Sequence, residues 1–585
     1  MNDGHPQPTL RARTPIYQTA NMMPIHTHPP SNHVDIRSQD AKRNITDFTI
    51  SVPGSKARVI PGEESPSPRW PTLEFRLYAV AFLLVVPLMI WIPVRLSLPN
   101  HPNHGRYQHR LSPGWMFGRQ VDNSDPQYRS FRDNLLPLLL LASSYLFSST
   151  FIQPRLAPQI SRARFVAAFS LFMTLLLHGT STLKILFLLS FNYHLAKFPI
   201  PPLLRTVWPG VIFCCNMSML FLNERYDGYR FGNVFPAFAV LDSWTGMLPR
   251  WHIGFNITMM RMVSFALDYV WREDPISNEV TPTEYRKRVT DSLPDSEYSF
   301  LNYFTYTLYP PLYIAGPIMT FNDFTWQLQN PVPIPRRARI SYAIRFVACL
   351  LTMEAVLHTM YVVAIKDSKG WEGDTPADLS LIGFWNLVVV WLKLLIPWRF
   401  FRLWALLDGL DPPENMIRCV ANNYSTLGFW RSWHRSYNLW VVRYIYIPVG
   451  GSKNVVLATF LVFTFVALWH DLSFKLLAWG WLVSLFILPE ITARKVYTAD
   501  KYGGRPSYRH ICAIGGVINI LLMMTANLVG FALGLEGTKH LVVQLTSTLS
   551  GWAFMILACS CLFIAVQVMF EYREEEKRHG IDRKC

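Results

Sequence analysis

The residues best suited to chemistry sit where charge is expensive. Val455 to Phe474 is apolar enough to cross a bilayer, yet it carries Trp469-His470-Asp471 a few residues from its end. An ionisable group at that depth needs a reason. Imidazole is the side chain whose proton equilibrium lies nearest neutrality, so His470 suits a general base taking a proton from a hydroxyl. The plainer alternative is a histidine that hydrogen-bonds a neighbouring helix and fixes packing. Asp471 points in a different direction on a helix and is a poor candidate for orienting the same ring.

A second constellation runs from Phe429 to Trp440, FWRSWHRSYNLW, and on through Arg443 to Ser452. It has no fully apolar stretch, and its mixture of Trp, Tyr and Arg suits a helix lying at the membrane interface. His434 and Asn438 are four apart and share one face of such a helix, where either can donate to a developing oxyanion. Arg431, Arg435, Arg443 and Lys453 suit phosphate, whether of a substrate or of bulk anionic lipid, because guanidinium forks match it. An amphipathic anchor with snorkelling arginines accounts for the same pattern without chemistry. Glu354 and His358, four apart within Ile340 to Ile365, and Lys393 within Leu379 to Trp398 each have two readings: polar contacts inside a bundle, or a proton relay.

Positioning these groups calls for a membrane bundle. Half of the 585 residues are hydrophobic and only 16% are charged, against about 25% in soluble domains. The net charge of +16 is scattered through short connections, which points to anionic headgroups and not to nucleic acid. Eight cysteines show no CxxC pair and no metal-ligand spacing, so no metal is expected. Apolar runs from Leu77 onward predict ten to twelve membrane helices. The run at 300 to 320 is interrupted at Tyr309-Pro310-Pro311 and Gly316-Pro317, and broken helices survive at that depth only around protein or a water-filled cavity.

The expected fold is therefore all-α and polytopic, with interfacial and re-entrant helices around an internal cavity. Residues 1–70, rich in Pro, Ser, His and charge, read as a disordered tail; 71–572 form the membrane domain, and 573–585 a charged C-terminal tail. Of the sequons at Asn44, Asn216, Asn256 and Asn423, those at 216 and 256 fall inside apolar runs, which leaves Asn44 as the usable topology reporter.

Trp430-Arg431, Trp433-His434, Ser436, Trp440, Tyr444-Ile445-Tyr446-Ile447-Pro448, Gly450-Gly451-Ser452 and then Ala467-Leu468-Trp469-His470 resemble, in that order, the signature of the membrane-bound O-acyltransferase family. The resemblance spans about residues 300–530. It implies that His470 is catalytic and that His434 is the polar residue of the first motif. Trp115, Phe117-Gly118-Arg119, Val121 to Asp125, Leu406 to Gly409, Pro413 to Cys419 and Arg573 to Gly580 resemble the family's fungal glycerol uptake branch, related to hedgehog acyltransferase. That closer likeness runs from about residue 70 to the C-terminus.

The branch implies a multi-pass protein of the endoplasmic reticulum membrane, and also of the plasma membrane. It implies transfer of a very long acyl chain from acyl-CoA to the vacant glycerol hydroxyl of a lyso-glycosylphosphatidylinositol (lyso-GPI) anchor. Acyl-CoA would be co-substrate with no further cofactor, and membrane lipids and lyso-GPI lipid or protein the partners. The branch name carries a second expectation, proton-coupled glycerol uptake, for which Glu354 and His358 would be the relay.

Overall fold

The computed structural model describes residues 67–272, 285–470, 474–579 and 581. The segment read as a tail over 1–70 lies outside them as far as residue 66, as do the Asn44 sequon and Asp471. Helices dominate, and the strands among the described residues form one two-residue antiparallel hairpin, Leu111 opposite Asp122 and Ser112 opposite Val121. The elements that position the site are α1 (Leu73–Leu96), α2 (Arg162–His178), α3 (Thr182–Lys197), α4 (Trp251–Val270), α5 (Arg336–Thr359), α6 (Pro376–Leu407), α7 (Arg435–Val441), α8 (Val455–His470), α9 (Phe474–Val496), α10 (Tyr508–Asn527) and α11 (Leu549–Arg578).

Eight described segments are long and apolar enough to cross a bilayer, and α8 is a shorter apolar helix. The protein is thus an all-α polytopic membrane protein, with fewer qualifying spans than the ten to twelve expected. Two features contribute to the difference. Arg162–Lys197 forms one apolar stretch, broken into α2 and α3 at Gly179, whose φ of 54° ends the first helix. In α4 the apolar residues are buried inside the protein together with Arg261 and Asp268, and hydropathy alone cannot tell such a helix from a spanning one.

The 300 to 320 run is interrupted as expected, into Phe300–Thr307 and Pro310–Tyr313. Pro311 has no N–H to offer the Thr307 carbonyl four residues back. The buried Arg261 guanidinium donates to that carbonyl at 3.1 Å and also to the Leu312 carbonyl, so a side chain replaces the lost backbone donor.

Helix α6 opens with a capping box between Thr375 and Asp378 and runs for 32 residues. At about 1.5 Å per residue it outreaches the roughly 30 Å of hydrocarbon. Its Lys393 pairs with Asp125 at 2.7 Å, and Asp125 also caps the helix Pro126–Asp133 by accepting from the Tyr128 N–H. On α5, Glu354 accepts from the Tyr128 hydroxyl at 2.8 Å and from Trp115 Nε1 at 3.1 Å, while His358 Nε2 accepts from the Trp115 N–H at 3.2 Å. Both side chains are buried and dock the 115–128 segment onto the bundle.

Just beyond α6, buried Asp408 accepts from Tyr145 at 2.9 Å, Ser149 at 2.8 Å and Tyr309 at 2.5 Å, and pairs with Arg162 at 3.2 Å. Removing the carboxylate strands several buried donors at once. Asp408→Ala is expected to cost about 3 kcal/mol, the low end for breaking a buried pair because Arg162 keeps some solvent contact. The check is a lowered unfolding temperature of the detergent-solubilised protein; an unchanged melt would show that the cluster does not hold the bundle.

The boundary drawn at 573 falls inside α11, which continues to Arg578. Arg573 donates to the Asn422 side chain at 2.6 Å and its carbonyl at 2.7 Å, and Glu576 pairs with Arg418 at 2.7 Å. Through residue 578 the charged segment is a docked helix end.

Candidate active site

Between α1, α6, α8, α9, α10 and α11 lies a cavity of about 4730 Å³. One part of its wall is apolar, built by side chains such as Phe82, Met89, Val388, Leu521, Phe554 and Leu562, and elsewhere it is lined by Arg431, Arg435, Arg443 and Lys453. Such a chamber suits an amphiphile with a long hydrocarbon chain and an anionic head.

Both singled-out histidines line it, from different elements. His470 is the last residue of α8. Its ring has open surface and lines the chamber.

His434 sits at the N-cap of α7 with φ 42° and ψ 57°, a left-handed conformation that side chains with a Cβ rarely adopt. Three contacts hold it there: Nδ1 accepts from the Tyr437 N–H at 3.3 Å, and the ring packs edge-on to Trp398 at 4.2 Å and Tyr437 at 5.4 Å between centroids. Strain held by surrounding structure is a mark of functional positions. Burial, and after it the nearby His470 imidazole, push the His434 pKa down to about 3. The ring is then neutral, and with Nδ1 accepting, its proton resides on Nε2. Among the described residues that nitrogen has no hydrogen-bond partner.

The rings between the two histidines form a continuous chain. Tyr437 packs on Trp469 at 4.7 Å, and Trp469 on His470 at 4.8 Å. Asn438 also lines the cavity, but its Nδ2 already donates to the Trp430 carbonyl at 3.4 Å. Arg431 is exposed at the wall, and Arg435 is anchored through its backbone N–H to the Asn415 carbonyl at 2.7 Å. Arg443, read from the sequence as a phosphate contact, is held by Asp268 at 2.8 Å. Glu354 and His358 do not line the cavity, whereas Lys393 does.

Trp398 packs on His434, yet no local signal in the sequence marks it, because the contact joins the interior of α6 to a loop well along the chain.

The family description "MBOAT, membrane-bound O-acyltransferase family" matches residues 239–535, which include both histidines. The membrane-bound O-acyltransferase GUP1 of Saccharomyces cerevisiae is 48% identical over 532 residues, 88% of this chain and 94% of the relative. Its namesake in Schizosaccharomyces pombe is 40% identical over 532 residues, 88% of this chain and 91% of the relative. The mouse protein-cysteine N-palmitoyltransferase HHAT is 29% identical over 216 residues, 35% of this chain and 43% of that protein.

Proposed function

The chain belongs to the membrane-bound O-acyltransferase family and is an acyltransferase, and from that premise we propose that it moves a very long acyl chain from acyl-CoA to the free glycerol hydroxyl of a lyso-GPI anchor in the endoplasmic reticulum membrane. The observation that carries this reading is the pair of imidazoles lining one large cavity whose wall is largely apolar. A hydroxyl is a weak nucleophile, and a neutral imidazole beside it makes attack on a thioester feasible.

In the proposed step His470 takes the hydroxyl proton as the oxygen attacks the acyl carbonyl. The carbonyl oxygen becomes an oxyanion and accepts from His434 Nε2–H. The C–S bond then breaks, the coenzyme A sulfur leaves with the proton held on His470, and an ester remains. No covalent acyl-enzyme and no metal is involved. Arg431 and Arg435 would meet phosphate of the donor or of the acceptor headgroup at the cavity wall, and Asn438 lies close enough in the chain to support the His434 side.

Glycerol uptake lacks comparable support, because Glu354 and His358 are occupied by Trp115 and Tyr128 away from the cavity.

Lipid analysis of anchored proteins from cells lacking this chain tests the reading. Lyso-anchors are expected to accumulate and to be cleared by the wild-type chain but not by His470→Ala. Normal anchors in the deleted cells would remove the acceptor assignment.

A further inference from the structure

Asn256 Nδ2, from α4, donates to the carbonyl of Trp469, the residue before His470, at 3.0 Å. Trp469 Nε1 donates in return to the Asn256 backbone carbonyl at 3.1 Å. Each residue uses one side-chain and one backbone group, so the pair fixes both the backbone beside His470 and the direction of the indole. That indole packs between His470 at 4.8 Å and Tyr437 at 4.7 Å, and Tyr437 packs in turn on His434 at 5.4 Å.

Asn256 itself is absent from the chamber lining, while its neighbours Ile253, Gly254 and Ile257 belong to it. A Cβ added at Gly254 would meet nothing within 4 Å, as expected beside open space. Asn256 is thus one layer behind the wall, reaching the end of α8 and neither histidine.

We infer that Asn256 is a positioning residue for acyl transfer, its amide clamping Trp469 and so setting where the His470 imidazole stands relative to His434. The inference rests on His470 being the base of the proposed reaction. It extends to a residue that the motifs do not include. A displacement of about 1 Å at a reacting group costs on the order of 10²-fold in rate, because the near-attack geometry is lost while binding is kept.

The test uses the full chain purified in detergent with added phospholipid, assayed with a very-long-chain acyl-CoA and with lyso-GPI prepared by phospholipase A2 digestion. Asn256→Ala is expected to lower kcat by about 10- to 100-fold with KM for that acyl-CoA within about twofold. Asn256→Asp, which cannot donate and sets a carboxylate against the Trp469 carbonyl, should lose at least as much. Asn256→Gln keeps the donor on a longer arm and should recover part of the rate, which a plain packing defect would not. Placed on His470→Ala, Asn256→Ala should bring no further loss, since no imidazole remains to be placed.

Asn256→Ala with kcat within twofold of wild type, beside an inactive His470→Ala, overturns this inference alone. So does a loss confined to KM, or an equal further loss on the His470→Ala background. Full activity of His470→Ala overturns the parent reading and this one together.

Discussion

His470→Ala is expected to lower acyl transfer by about 10³-fold, within the range that a positioned general base supplies, and to leave the fold in place. The expected loss corresponds to about 4 kcal/mol of transition-state stabilisation. The fold should survive because the ring opens into the cavity and packs on Trp469. A change in stability under about 1 kcal/mol is expected, as for substitutions that bury little and strand no polar partner. The measurement is single-turnover transfer from acyl-CoA beside a melting curve. The cavity also has room for free imidazole, so adding it to the alanine variant should restore part of the rate. Wild-type turnover by His470→Ala would mean that another group takes the hydroxyl proton.

How far such a site can be read in advance depends on where its information sits along the chain. His470 and His434 were legible because each is an ionisable residue inside a compact run of aromatic and basic residues whose order is itself distinctive. The broken run at 300 to 320 was legible for a similar reason: two prolines remove backbone donors whatever surrounds them. Their repair by Arg261 was not, because a guanidinium within an apolar run reads equally well as a paired charge or as a functional one. Distance in sequence hid the rest. Asn256 and Trp469 are 213 residues apart, and Asn256 lies in a run that hydropathy marks only as apolar.

The arginines teach a related lesson. Arg431, Arg435 and Arg443 are alike by type and share one short segment, yet Asp268 on α4 holds Arg443 while Arg431 stands exposed at the cavity wall. A carboxylate brought in from another helix decides which cation is available to phosphate, and spacing along one helix carries no record of it. Apolarity likewise does not say whether a helix meets lipid or protein, as α4 shows.

His434 separates chemistry from backbone unusually well, because glycine adopts its left-handed conformation without steric cost. His434→Gly is therefore expected to keep the turn into α7, losing only a few tenths of a kcal/mol of capping. It should lose about 10²- to 10³-fold in kcat, the usual effect of removing one oxyanion donor. His434→Ala should lose as much rate and more stability, because its Cβ is strained at φ 42°. His434→Asn tolerates the left-handed region, caps a helix well and brings a donor on a shorter arm, so it should fall between wild type and glycine in rate. With its pKa pushed down to about 3, His434 is a neutral Nε2–H donor near neutral pH. An acid limb of the rate is then expected from protonation of His470, which must be neutral to accept a proton. The acid limb of the pH–rate profile should accordingly keep its midpoint in His434→Gly while the plateau drops. A plateau within tenfold of wild type would remove His434 as the oxyanion donor, and a shifted midpoint would assign the titration to His434 itself.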